Sequence, residues 1–183
     1  TLIVTSYGNT YSQHIYTASE LHEMGFQAGQ IAGVAFRYNG TSSYDKVQSV
    51  YIGTTTASSF VSATAIGNMQ LVYGPSVETC TATWKTYNFT ENFEWDGVSN
   101  IVIGVLTNQS GLSGTTTSAG WSSHGTTNSG SYPSIYYYRD GTPIDATATS
   151  PASSSARSAV RPNIKFITCT LGETCPAVTD ASV

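Results

Sequence analysis

The sequence predicts an all-β protein, a two-sheet antiparallel β-sandwich with one short helix. Three observations lead there. Short runs of β-branched and aromatic residues recur between Gly, Asn and Ser turns along nearly the whole chain, which is the pattern of many short strands. Alternation with period two is visible in Ile31-Ala32-Gly33-Val34-Ala35-Phe36 and in Trp84-Lys85-Thr86-Tyr87-Asn88-Phe89, and it turns one side of each strand toward a core. No strand–helix–strand alternation occurs, so the strands are expected in two stacked layers and not in a parallel sheet.

Taken in order, strands are expected at residues 2–6, 12–16, 29–38, 47–53, 69–74, 83–90, 101–107, 134–139 and 163–168. Between the second and third lies the one helical signal. Thr17-Ala18-Ser19-Glu20 is a capping-box pattern, Leu21 and Met24 give an apolar side, and Gly25 is a natural stop. The stretch 91–104 carries the clearest punctuation. Phe93 and Trp95 run into an Asp96-Gly97 turn, from which the apolar strand Ile101-Val102-Ile103 departs. Asp96 suits that turn because its carboxylate bonds its own backbone, and Gly97 accepts a positive φ. Trp84, Phe93 and Trp95 are assigned to the core. The segments 54–67, 108–133 and 140–160 read as loops, the last two long enough to be functional or mobile.

Composition narrows the function classes. The chain has 183 residues, of which 10% are charged, and a net charge of −4. Ser and Thr exceed a quarter of it and Tyr contributes 12 residues. Uncharged hydroxyls in place of Lys and Glu suit exported β-proteins. Without a basic patch, no nucleic-acid partner is expected. No apolar run reaches the roughly 20 residues needed to span a bilayer, so no membrane insertion is expected. The first residue is Thr1 and no signal peptide is visible, so the chain reads as a piece of a longer exported protein with covalently linked neighbouring domains. Cys169 and Cys175 are close enough in sequence for a disulfide staple. Cys80 could pair with either instead, and three free thiols are the remaining alternative.

Several motifs then carry a family resemblance. Tyr11-Ser12-Gln13-His14-Ile15-Tyr16-Thr17-Ala18-Ser19-Glu20-Leu21 resembles the opening of a module in secreted and surface proteins of Bacteroidota. Ala28 to Phe36, Val50 to Phe60, Trp84 to Asn100, Ser134 to Tyr138 and Arg161 to Phe166 resemble its later segments in the same order. The match covers roughly residues 7–168. The resemblance implies a jelly-roll sandwich similar to galactose-binding and MAM-type domains, in multidomain chains beside fibronectin type III and type IX secretion sorting domains. It implies an extracellular or cell-surface location and an adhesive or carbohydrate-binding role. Cys80 and the Ser/Thr-rich 140–160 insertion depart from the pattern. The expected division is a sandwich over 1–168 and a linker over 169–183, whose end resembles the start of a fibronectin type III module.

No Gly-x-Ser-x-Gly elbow, His-Glu-x-x-His pair or Gly-rich phosphate loop occurs, and no catalytic activity is expected. A glycan site needs exposed aromatic rings for the C–H faces of sugars, beside polar groups for their hydroxyls. Trp121, His124, Asn128 and Tyr132 in the segment 108–133 fit that need. So do Tyr137, Arg139 and Asp140 at the end of the Tyr136-Tyr137-Tyr138 run, and Tyr38 and Tyr44 around Asn39-Gly40. Tyr136 and Tyr138 must share one face and Tyr137 the other. No cofactor is expected beyond a structural calcium, for which Asp45, Asp96 and Asp140 are the loop acids, by analogy with galactose-binding sandwiches. The partner expected is a glycan. A host or surface protein, or a purely structural spacer role, is the alternative.

Overall fold

The computed structural model describes residues 7–39, 45–79, 83–108, 122–123, 125–127 and 130–169. The strand expected at 2–6 and the closing segment from residue 170 lie outside them. The described elements are β1 (Asn9–Tyr16), α1 (Ala18–Glu23), β2 (Gly29–Asn39), β3 (Asp45–Thr55), β4 (Gln70–Thr79), β5 (Trp84–Trp95) and β6 (Asn100–Asn108). They continue as β7 (Ser122–Ser123), β8 (Gly125–Thr127), β9 (Ser134–Arg139), β10 (Ser155–Ser158), β11 (Val160–Pro162) and β12 (Ile164–Cys169). One sheet has the order β10-β9-β1-β6-β3-β4 and the other β12-β2-β5, with β7 on the end of β2 and β11 paired to β8. The pairings are antiparallel. Among the described residues the chain forms the expected all-β sandwich, with one short helix.

The layers follow from side-chain alternation. On its inner face the six-stranded sheet presents Val50, Ile52, Val72, Ile101, Ile103 and Val105 to Val34, Phe36, Tyr87, Trp95 and Phe166 of the smaller sheet. Its outer face is also covered. Tyr11, Ile15, Val102, Leu106, Ile135 and Tyr137 pack beneath Phe60, Ala65, Ile144, Ala146 and Ala152. Those cover residues come from the segments expected to be loops at 54–67 and 140–160. Both segments are therefore a third layer over the large sheet. In β6, Ile101 to Thr107 are all buried, which explains why this strand reads as a nearly continuous apolar run.

The strands missed at the sequence level are β7, β8, β10 and β11. Each has two to four residues. The half-exposed side chains of β10, Ser155-Ala156-Arg157-Ser158, need no apolar alternation, so nothing in the sequence marks it. Strand β5 continues to Trp95 past the expected end, across an irregularity opposite Ile31 and Gly33 of β2. Strand β12 ends at Cys169, one residue beyond the expected boundary. Cys169 is disulfide-bonded, and its partner, Cys80 or Cys175, lies outside the described residues.

Local chemistry fixes the helix and the central turn. Thr17 caps α1 and Glu20 returns the bond to the Thr17 backbone, completing the capping box. Glu20 also forms a two-pronged ion pair with Arg161, at 2.9 and 2.7 Å. The same guanidinium lies 4.4 Å above the Tyr16 ring and donates to the Ile15 carbonyl at 2.8 Å. Helix and β11 are thereby clamped to the end of β1. At the β5–β6 turn the Asp96 carboxylate accepts from the Val98 and Ser99 amides at 2.8 Å each. Gly97 there has φ +75, and a Cβ on it would stand 2.9 Å from the Ala28 Cβ.

The aromatic assignments divide. Trp95 is buried, with Nε1 donating to the Ser99 carbonyl at 2.8 Å, and Phe93 packs against the inner core. Trp84 is corrected: it is half-buried, with the Lys165 ammonium 4.3 Å from its ring centroid. It pairs with Arg37, one position out of phase with the Phe36–Lys85 and Val34–Tyr87 pairs that face the core, so it lies on the outer face of the smaller sheet. Among the described residues β4 is the last strand on its side of the large sheet; it carries Gly74 (φ +81) and Pro75, with register shifts against β3 around Val50.

Ile103 is buried between the sheets. Replacing it with Ala is expected to lower stability by about 2–5 kcal/mol, measured by urea unfolding. A loss under 1 kcal/mol would mean that the site between the sheets is not close-packed.

Candidate functional site

The inner face of the six-stranded sheet divides into two halves. Across β6, β3 and β4 it is mostly apolar and lies against the smaller sheet, with Gln48 and Thr107 as buried polar residues in one row. Across β9 and β1 it carries Ser134, Tyr136 and Tyr138 opposite His14, Ser12 and Thr10. Direct cross-strand partners in an antiparallel sheet share a face, so these six side chains form a polar and aromatic patch continuous with the core.

At one end of the patch the tyrosines form a ladder. The Tyr7 and Tyr138 rings are 4.4 Å apart and tilted by 39°, and Tyr138 and Tyr136 are 6.1 Å apart at 31°. All three are half-buried. Strand alternation places Tyr136 and Tyr138. Asp140 places Tyr7, because its Oδ1 accepts from the Gly8 amide at 2.8 Å and draws the chain before β1 to the end of β9. Arg139 braces the following turn, with Nε donating to the Thr142 carbonyl at 2.9 Å and Nη2 to the Pro143 carbonyl.

The candidates named from sequence are scattered over the fold. Tyr137 and Tyr38 are corrected: both are 1% exposed and neither can offer a ring to a ligand. Tyr137 belongs to the outer core, where its hydroxyl donates to the Ala63 carbonyl at 3.0 Å and burial pushes its pKa up to about 12. Tyr38 lies in the inner core with its hydroxyl 3.1 Å from that of Tyr87. Alternation separates Tyr137 from its two neighbours, but it does not say which face is covered. Arg139 and Asp140 hold the ladder's surroundings. Tyr132 is 44% exposed, and the Arg157 guanidinium stands 4.4 Å over its ring. It precedes β9 at the end away from Tyr138, about 20 Å along the strand direction, and so forms a separate feature. Trp121, His124, Asn128 and Tyr44 lie outside the described residues, as does the side chain of Asp45. Sequence reasoning missed Tyr7. Nothing local to it signals a role, since a hydrogen bond between residues 8 and 140 brings it into place.

Two of the loop acids considered for calcium, Asp96 and Asp140, are engaged with backbone amides. Asp96 caps Val98 and Ser99 with Oδ1 and accepts from the Ser99 hydroxyl at 2.6 Å with Oδ2; these bonds hold its carboxyl below the usual range. Asp140 holds Gly8. Among the described residues no group of three or more His, Cys, Asp or Glu converges. No helix among them is long and apolar enough to cross a membrane.

His14 is 0% exposed, with Nδ1 2.8 Å from the Ser134 hydroxyl and Nε2 3.0 Å from the Ser12 hydroxyl. Burial first, and the Arg161 charge as well, hold its pKa well below the ordinary histidine value. His22 is exposed, its ring nitrogens 2.9 and 2.7 Å from the Phe26 and Gly97 carbonyls.

No protein-family model, curated protein or solved structure matches this chain. The resemblance to the Bacteroidota module therefore rests on the motifs quoted above.

His14 and Glu20 are among the groups that make stability depend on pH. Below about pH 6.5 an unfolded histidine binds a proton that folded His14 refuses, so acid favours the unfolded chain. Glu20 is held down to about 2 by the Arg161 ion pair, so its contribution is present above about pH 4.3 and is lost as pH falls toward 2. The melting temperature is expected to start falling below about pH 6.5 and to fall more steeply below about 4.3. His14→Gln should flatten the first limb and Glu20→Gln the second in a pH series of thermal melts. An unchanged first limb in His14→Gln would show that another group titrates there.

Proposed function

We propose that this domain is a non-catalytic binding module that presents the Tyr7–Tyr138–Tyr136 ladder to a glycan, within a larger secreted or surface protein. The ladder is the observation that carries the reading. Three half-buried rings in contact succession at one end of β9 leave accessible aromatic surface on which the C–H faces of a sugar can stack. Their phenolic hydroxyls supply hydrogen bonds to sugar hydroxyls. Asp140 and Arg139 support it as positioning groups, because they fix the segment carrying Tyr7 and the turn beside it.

Other features fit the same reading. His14 is enclosed between two serines and Asp96 serves its own turn, which removes two of the groups an acid–base mechanism would recruit. The disulfide at Cys169 fits an oxidising compartment outside the cell, as do the low charge and high Ser/Thr content. The Bacteroidota resemblance fits adhesive or carbohydrate-binding work at a cell surface.

A shallow site of this kind should bind in the micromolar to millimolar range. A glycan array followed by calorimetric titration of the best hit tests it. Tyr138→Ala removes the central ring and should weaken binding by about tenfold or more, while its melting curve stays cooperative. Asp140→Ala should weaken it less, by releasing Tyr7. A silent array would favour the spacer reading. Capture of a protein partner that is insensitive to deglycosylation, with the array silent, would favour protein recognition.

A further inference from the structure

One cross-strand row on the inner face holds hydrogen-bonding groups that no described residue satisfies. Thr10 of β1 is paired with Thr107 of β6, and Thr107 with Gln48 of β3. Thr10 and Thr107 are 1% exposed and Gln48 is 0% exposed. Among the described residues, the Oγ1 atoms of both threonines and the Nε2 of Gln48 have no hydrogen-bond partner. Three such groups in one register row are not scattered defects, since buried polar atoms are nearly always paired.

The row is anchored at one end. The Gln48 Oε1 accepts from the Tyr87 hydroxyl at 2.6 Å, and the Tyr87 oxygen lies 3.1 Å from the Tyr38 hydroxyl. A polar seam thus starts in the smaller sheet at Tyr38 and Tyr87, crosses to Gln48, and continues along the large sheet through Thr107 to Thr10. Beyond Thr10 its next cross-strand partner is Tyr138. The spacing of adjacent strands, about 4.8 Å, is longer than one hydrogen bond. It is within the span of two bonds of about 2.8 Å through a single intervening oxygen. The intervening group must both donate and accept, because the amide Nε2 only donates and the hydroxyls do either. No titratable group stands among the three, so the row has no charge to balance an ion.

We propose that this row is an internal water site, in which ordered water molecules bridge Gln48 Nε2 to Thr107 Oγ1 and Thr107 Oγ1 to Thr10 Oγ1. The waters complete the hydrogen bonding of the three side chains and join the polar seam between the two sheets. The site is independent of what the tyrosine ladder binds.

Water-to-protein cross-relaxation in the isotopically labelled, intact chain tests this. Long-lived water signals are expected at the Thr10 and Thr107 methyl groups, and their absence would overturn the proposal. Thr107→Val keeps the shape and removes the hydroxyl. Bridged waters then lose a partner, and the folding equilibrium constant should drop by about fivefold to tenfold. Removing a truly orphaned hydroxyl would instead leave that constant unchanged or raise it, and either result would overturn the proposal. Should Thr107→Val fail to fold, Thr107→Ser decides, because it retains the hydroxyl and should retain the water signal at Thr10. A high-resolution crystal structure with a protein side chain seated on the three atoms would also overturn it.

Discussion

The structure depends on the burial of β6 on both of its faces. Ile101, Ile103 and Val105 face the smaller sheet, and Val102 and Leu106 face the segments that pack over the other side. A strand in this position needs neighbours that are correctly registered on both edges, and β1 and β3 flank it along its length. With the sheet held as a middle layer, the segments 54–67 and 140–160 are confined to covering it. What reads as a long irregular stretch in the sequence is apolar lining in the fold, contributed by Phe60, Ala65, Ile144 and Ala146.

The same layering creates the polar patch. The smaller sheet has three main strands against six, so it matches only part of the surface above it. Where Val34, Phe36 and Tyr87 press down, the large sheet answers with Val50, Ile52 and Ile103. Along β1 and β9 it carries Thr10, Ser12, His14 and Ser134. The tyrosine ladder sits at the border of these two regimes. Its rings are packed well enough to be held in place, yet none is as deeply enclosed as Tyr137 on the opposite face.

Much of this was legible in the residues. Period-two alternation located the strands of both sheets, and Thr17 with Glu20 marked the helix start, because these signals are local. Trp95 and the Asp96-Gly97 turn were readable for the same reason. The short strands β10 and β11 were not, since edge pairing with half-exposed side chains leaves no apolar rhythm. The candidate site was half legible. Alternation put Tyr136 and Tyr138 on one face and Tyr137 on the other, but only the packing of Phe60 and Ile144 decides which face is covered. Tyr7 joins the ladder through a contact that spans 132 positions of sequence, and no window of residues carries that information. Tyr38 looked like the flank of an exposed hairpin, and its burial is set by Tyr87 on a strand nearly fifty residues away.

The interruption of β4 has a further consequence. Among the described residues strand β4 is the outermost on its side of the large sheet, and it exposes Leu71 and Val77, 44% and 65% accessible. An uninterrupted margin with such side chains would be a template on which a second molecule could add its own strand. Gly74 and Pro75 interrupt its regular register against β3, and Pro75 offers no amide hydrogen to a newcomer. The irregularity that disturbs pairing with β3 is thus of the kind that makes a sheet margin a poor template for a further strand.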